Sequence, residues 1–505
     1  MVLNRQKKKN ILGVLFFYVS IFPLFSAQYE FNFTEKAELV KDKIMKLELD
    51  EADSLLVLYS KSNTENIAWD WLKESSLFLR LFISEEAAAY KSHKKEWDKL
   101  IDQTENKKFS NAWYGFVLSE MYIHRALIRL KFSENLSAGN DIHSAFKILK
   151  TNHSKYPFFL ADNKNLGFLY CLFSSVPSKY NWLVKIVGME GDMEKGIGLL
   201  EDFIKSSLRD KEYKSIRLET AFTYAIVQHH LNQNTEKAWS AIDPETKSYK
   251  SIVLQNYMRA LVAGYAGKND EVVNVLKDKP LHVKNSEFYY MDYMLGQAKL
   301  RKLDKDADIY LLRFVLRFKG KNYIKSAYRY LAWYAQIFET TDKAKSYYSL
   351  CTKNGVKELE LDKVAENDAH AAIIWEKELL KSRLLFDGHY LQLSLEHLNT
   401  LKASDCKTVR SKLELHYRKG RLNQALGDDT EAIASFKKTI EEGRNEVYYY
   451  AAYSSLQMAF IYEKRGDKVN AKKYFKMAKD EFKNNTEFVP KIEQLAKAGL
   501  KRIGK

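Results

Sequence analysis

Three aspartates in alternation, Asp304, Asp306 and Asp308, open like a calcium-binding loop. Such a loop continues with a glycine for its sharp turn and closes on a bidentate glutamate. Ile309 and Val315 hold those two places, so the run reads as the acidic start of a helix. Glu120 and His124 stand one helical turn apart and could share a metal, but no third ligand accompanies them and they read as a surface hydrogen bond. His229 and His230 are adjacent and project to different sides of a helix. His370, with Asp368 and Glu376 near it in sequence, comes nearest to a metal-binding trio. Gly320-Lys321 lacks the earlier glycine and the following Ser or Thr of a phosphate-cradling loop. Neither a G-x-S-x-G elbow nor an H-E-x-x-H helix occurs. The cysteines are Cys171, Cys351 and Cys406, an odd number without C-x-x-C spacing, which argues against a disulfide framework and a cysteine zinc site. The expectation is a protein that is not an enzyme, with no catalytic residue, no metal and no cofactor.

The elements that carry these residues follow from composition. The chain has 505 residues, 46% of them apolar, with only 6 prolines and 20 glycines. All-β folds need turn residues every 8–12 positions or so, and this chain cannot supply them. Long helices joined by short turns are the remaining option. The formal charge is +16, mostly lysine interleaved with acids. No arginine-rich patch with stacking aromatics stands out, so nucleic acid is not an expected partner. The basic residues Lys491, Lys497, Lys501, Arg502 and Lys505 are the closest approach to a patch, suited to an acidic surface or to a fraying last helix.

Residues 1–27 have the layout of a signal peptide: basic Arg5 to Lys9, apolar Ile11 to Phe25, then Ser26 and Ala27 before Gln28. The apolar run is shorter than the ~20 residues that a bilayer-spanning helix needs. With no lipobox cysteine after it, the expectation is an exported chain, periplasmic or envelope-associated in a Gram-negative bacterium. Its mature part should carry no transmembrane segment and be capable of peripheral envelope association. Sequons at Asn32, Asn135, Asn152 and Asn484 arise readily by chance in an Asn- and Lys-rich chain.

Gly388, Gly427 and Gly466 are spaced by 39 residues each time, with Leu393, Ala432 and Ala471 five residues after each, and His397, Phe436 and Phe475 nine after. A recurring helical unit of this length is the signature of an α-solenoid. Gly427 can end one helix in the left-handed conformation, and Asp428 can cap the next. Ala432, Phe436 and Ile440 then form a stripe spaced by four residues. Gly466-Asp467 and Gly267 through Asp270 repeat that chemistry.

These units resemble tetratricopeptide repeats. Gly420, Gly427, Ala432 and Phe436 fit the small, turn, small and large places of that pattern. So do Ala459, Gly466, Ala471 and Phe475, then Ala332, Ala344 and Tyr348, then Ala260, Gly267 and Leu276. The resemblance implies an all-α, tetratricopeptide-like α-solenoid of antiparallel helix hairpins. The divisions it suggests are 28–205 (divergent helices), 206–351 (repeats), 352–370 (an interruption) and 371–505 (C-terminal repeats). Within residues 110–205, Pro177, Trp182-Leu183 and Gly188-Met189-Glu190-Gly191-Asp192 resemble the tetratricopeptide repeat protein 39 family, which implies an interaction role and no catalytic residues.

The family's inward-facing repeat positions carry over to Tyr257, Tyr265, Arg329, Trp333, Trp375, Tyr417, Arg421, Tyr453 and Phe460. Aromatic and arginine side chains of this kind are typical binding hot spots. The expected function is a scaffold or adaptor that holds a protein or peptide partner in its concave groove. The alternative is a helical glycan- or nutrient-binding envelope protein, although the lipobox cysteine and long Gly/Pro/Asn insertions usual in such proteins are missing. No unassigned segment is long enough for a separate catalytic domain, and export argues against a DNA-binding regulator.

Overall fold

The computed structural model describes residues 29–107, 111–174, 191–278 and 287–504. The signal-like segment 1–27 and the stretch from Pro177 to Glu190 lie outside them. Successive helices pair into hairpins: α1 (Glu35–Met45) with α2 (Leu49–Ser60), α3 (Ala68–Ser84) with α4 (Ala87–Lys107), α5 (Ala112–Lys131) with α6 (Asn135–Lys155), and α7 (Asp162–Ser174) with α8 (Met193–Ser207). The order continues with α9 (Lys214–His230) and α10 (Thr235–Ile242), α11 (Val253–Tyr265) and α12 (Asn269–Lys277), α13 (Tyr290–Arg301) and α14 (Ala307–Arg317), then α15 (Ile324–Phe338) and α16 (Thr341–Lys353). Helix α17 (Glu360–His370) stands alone. It is followed by α18 (Lys377–Asp387) with α19 (Leu391–Asn399), α20 (Val409–Leu426) with α21 (Asp429–Gly443), α22 (Tyr450–Lys464) with α23 (Lys468–Asp480), and a final α24 (Val489–Ile503). First helices of neighbouring hairpins also touch, as α20 touches α22 and α22 touches α24. This double packing makes an all-α, tetratricopeptide-like solenoid.

The stop-and-start chemistry operates where the 39-residue spacing places it. Gly427 (φ +89°) and Gly466 (φ +76°) end α20 and α22 in the left-handed conformation, as Gly267 (φ +68°) follows α11. Asp428 and Asp467 then accept hydrogen bonds from the Glu431 and Asn470 amides at 3.1 and 3.0 Å, capping α21 and α23. Gly388 departs from the pattern: its φ is −89° and the left-handed turn falls on His389 instead. Small residues allow close approach. A Cβ on Gly420 would sit 2.5 Å from the Phe436 ring, and Ala432, Phe436, Ala471 and Phe475 are all fully buried.

Asp304 and Asp306 bind Lys299 at 3.1 and 2.9 Å rather than cap α14, whose N-cap residue Asp306 makes no side-chain capping bond. The segment 352–370 holds α17, which packs its buried Val364, Ala365 and Ala369 against α15 and α16.

The array folds back on itself. Apolar side chains of the first hairpin, such as Ala37, Val40 and Leu56, share one core with residues between Val253 and Leu422. Asn322 donates to Glu85 at 2.7 Å, across 237 residues of sequence. Lys491 reaches the His230 carbonyl at 3.4 Å and Lys501 the Gly191 carbonyl at 3.5 Å. The N-terminal arm is fixed as well. Glu30 forms a parallel bridge with Asn66, Asn66 bonds both the amide and the carbonyl of Asn32 at 3.0 and 2.7 Å, and Phe31 stacks on Trp113 at 4.1 Å.

Candidate functional site

The first helices from α9 to α20 share a feature that the periodicity of any one helix does not show. Their aromatic and guanidinium groups connect end to end. Phe222 on α9 meets Tyr257 on α11 with ring centroids 6.1 Å apart, and Tyr257 meets Tyr290 on α13 at 6.4 Å. The row continues through Tyr293 and Tyr330 to Trp333 on α15. It then becomes an alternating stack. Arg329 lies 4.8 Å and Arg383 4.5 Å from the Trp333 ring. Arg383 is 5.4 Å and Arg410 5.7 Å from Trp375, and Arg410 is 4.7 Å from Tyr448. Guanidinium groups over aromatic faces gain from the ring quadrupole, most where water is excluded.

Carboxylates hold these cations in place. Asp368 on α17 lies 2.9 Å from Arg410 and 3.7 Å from Arg329. Glu414 on α20 lies 2.6 Å from Arg418 and 3.6 Å from Arg383. Glu487 contacts Arg410 at 3.1 Å and accepts from the Tyr449 amide at 3.3 Å. Burial alone would raise Glu414, but Arg383 and Arg418 overturn that and hold it at about 2. Arg410, Glu414 and Arg418 follow one another at four-residue spacing, which was the sequence signal for this network.

The structure therefore divides the nine side chains expected in the groove. Arg329, Trp333, Trp375 and Tyr417 are interior residues, exposed by no more than 4%. That burial closes them to a partner in the groove: α17 and α18 cover that side of α15, with Asp362 accepting from the Tyr323 and Ser326 amides at 2.7 and 2.9 Å. Tyr257, Tyr265, Arg421, Tyr453 and Phe460 are half-buried and keep accessible surface. Tyr290 and Tyr323, which the sequence reading missed, are half-buried beside Tyr257, with centroids 4.6 Å apart. Arg421 donates to the Tyr417 hydroxyl at 3.0 Å. Burial pushes the hydroxyl of Tyr323 up to about 12, so it stays protonated at neutral pH.

His229 and His230, expected to face apart, both reach Tyr265: the first stacks on its ring at 4.0 Å, the second lies 3.0 Å from its hydroxyl. Burial, with Lys491 nearby, lowers them to about 4 and about 3, so both are neutral at pH 7.

Glu120 and His124 are not a surface pair. Both lie in a buried relay in which His124 Nδ1 is 2.9 Å from Glu74, while its Nε2 is 4.0 Å from Glu120. Lys164 joins Glu120 at 2.6 Å and Glu219 at 3.3 Å, and Lys41 of α1 closes on Glu219. The long sequence separations of Glu74, Lys164 and Glu219 hid this relay. Lys41 and Glu219 also line a cleft of about 720 Å³ between α1 and α9, with Phe31, Phe33 and Trp113. The trio around His370 is dispersed: His370 is exposed, Asp368 turns to arginines, and Glu376 accepts from the Lys407 amide at 2.8 Å. Among the described residues, no group of three or more His, Cys, Asp or Glu is placed to hold a metal ion, and no helix is long and apolar enough to cross a membrane.

No protein-family model matches the chain, and no curated protein does. Among solved structures it is similar to a chain in the crystal structure of the APC/C hetero-tetramer Cut9-Hcn1, at 14% identity over 93% of this chain and 89% of that one, with a TM-score of 0.27. The fold class rests on the helix pairs themselves.

Proposed function

We propose that this chain is an exported, non-catalytic scaffold that holds a protein or peptide partner against the half-buried tyrosines of its first helices. The observation that carries the reading is the contrast between two layers. The Arg–Trp stack and its carboxylates make a buried interior, while Tyr257, Tyr265, Tyr290, Tyr323 and Tyr453 stand at its margin as half-buried residues. Tyrosine offers contact area at low entropic cost and a hydroxyl for hydrogen bonding, which suits partner recognition. Repeat arrays use extended surfaces of this kind. The signal-like segment 1–27 supports export.

The test is capture of partners from the native envelope fraction by wild type and by Tyr257→Ala plus Tyr453→Ala, with equal helicity verified by circular dichroism. A protein retained by wild type and lost by the double variant supports the reading. Identical capture by both proteins refutes it.

A further inference from the structure

The outward face of the last hairpin carries a positive charge that the other described residues leave largely unbalanced. Between Lys464 and Lys505 there are thirteen lysines and arginines against five carboxylates, so these 42 residues carry half of the formal charge of +16. Helix α23 buries Ala471, Tyr474, Phe475 and Ala478. At 100° per residue, that places Val469, Lys472, Lys473, Lys476 and Lys479 together on the opposite side. All five are exposed, Val469 by 80%. Lys464 and Lys468 precede them and Lys483 follows, also exposed.

The nearby acids are already engaged. Asp467 caps α23, Asp480 pairs with Lys479 at 2.9 Å, and Glu481 pairs with Arg444 at 3.0 Å. Lys464, Lys468, Lys472, Lys476 and Lys483 form no ion pair among the described residues. Elsewhere lysines are commonly matched, as Lys94 is with Glu134 and Lys302 with Asp270.

We propose that this α23 face docks on an anionic lipid bilayer surface. Charge complementarity sets the sign of the partner, and the residue types select the lipid. Lysine is a flexible point charge, whereas arginine supplies the planar fork used for specific phosphate or carboxylate recognition, and the face carries only lysines. No aromatic ring is exposed on it for stacking with nucleic-acid bases. The lysines surround one protruding valine, a small apolar contact of the sort that enters a headgroup layer. Clustered lysines near a bilayer each add attraction that decays within a Debye length. The proposal is independent of the tyrosine margin, which lies on the first helices, whereas α23 is a second helix.

The test is co-sedimentation of the full chain with phosphatidylcholine vesicles, with and without about 30% phosphatidylglycerol. Wild type should pellet with the anionic vesicles at about 50 mM salt and be released at about 500 mM. Lys468→Glu, Lys472→Glu and Lys476→Glu together should weaken binding at least about tenfold. The control Lys343→Glu, Lys345→Glu and Lys377→Glu, on exposed lysines of α16 and α18, should bind as wild type does. These side chains are exposed, so circular dichroism should match throughout. Equal binding to neutral vesicles, equal loss in the control, or retention of polyglutamate or duplex DNA without vesicle binding would overturn the proposal.

Discussion

Arg383 lies between Trp333 and Trp375, 4.5 Å from the first ring centroid and 5.4 Å from the second. It joins three helical elements that share no local sequence. Its guanidinium also faces Glu414 at 3.6 Å, so one side chain supplies both the stacking and the charge that hold α15, α18 and α20 together.

Replacing Arg383 with Met should therefore destabilise the protein by about 2 kcal/mol or more, because Trp333 and Trp375 lose the buried cation between them and Glu414 keeps only Arg418. Arg421→Met should cost less than about 1 kcal/mol, since among the described residues its one hydrogen bond is to a neutral hydroxyl and it is half-buried. Urea midpoints of the two variants decide this. Similar losses would mean that the stack contributes little.

Acid should loosen the array through Glu414 and Glu219. Arginines hold the first at about 2, and Lys41 and Lys164 hold the second there against burial, compared with an ordinary value of 4.5. A carboxylate depressed in the folded state contributes stability that is present above its unfolded value and lost as pH falls through the folded one. Stability should thus fall between pH 4.5 and about 2, and Glu414→Gln should flatten that slope while lowering stability at neutral pH. An unchanged slope would refute the assignment.

Asp162 should behave in the opposite sense. Burial pushes it up to about 7, against the Asn152 amide that donates to both its oxygens at 3.0 Å. The folded state holds this proton more tightly than the unfolded chain, so the contribution is full below 3.8 and lost as pH rises toward about 7. Asp162→Asn should raise the melting temperature at about pH 8 and leave it unchanged at about pH 3. Equal shifts at both values would point to packing instead.

Two glycines should separate close packing from backbone conformation. Gly420→Ala drives a methyl against the fully buried Phe436 ring and should cost about 1–3 kcal/mol. Gly427→Ala meets no atom within 4 Å, but its φ of +89° penalises any side chain, by about 1 kcal/mol. Thermal melts of the two variants rank them. A larger loss at Gly427 would reverse the reading.

The repeat was legible because its punctuation is local. A glycine that must take positive φ and an aspartate that caps the next helix act within four residues, and Gly427-Asp428 and Gly466-Asp467 show both. Gly388 misled because His389 could take the left-handed turn in its place. The site was legible only in part. Periodicity finds the residues of one face of α15 but not what covers that face, and α17 lies in the segment read as an interruption. Arg329 and Trp333 were therefore found as a pair and assigned to the partner-binding groove, whereas both are buried in the interior. Asp368, Glu414 and Glu487 supply the missing half of the network, and their proximity arises from the stacking of neighbouring helices rather than from the return of the chain that ties Glu85 to Asn322 and Lys491 to His230.

That return has a mechanical meaning. A linear stack of hairpins, pulled from its ends, peels apart one unit at a time. Here the first hairpin shares a core with the middle of the array, Asn322 is tied to Glu85, and the last helix is tied to the carbonyls of His230 and Gly191. Load applied to the two termini meets these ties before it reaches any single hairpin. The array should behave as a hoop rather than a spring, stiff until the ties rupture and extensible afterwards.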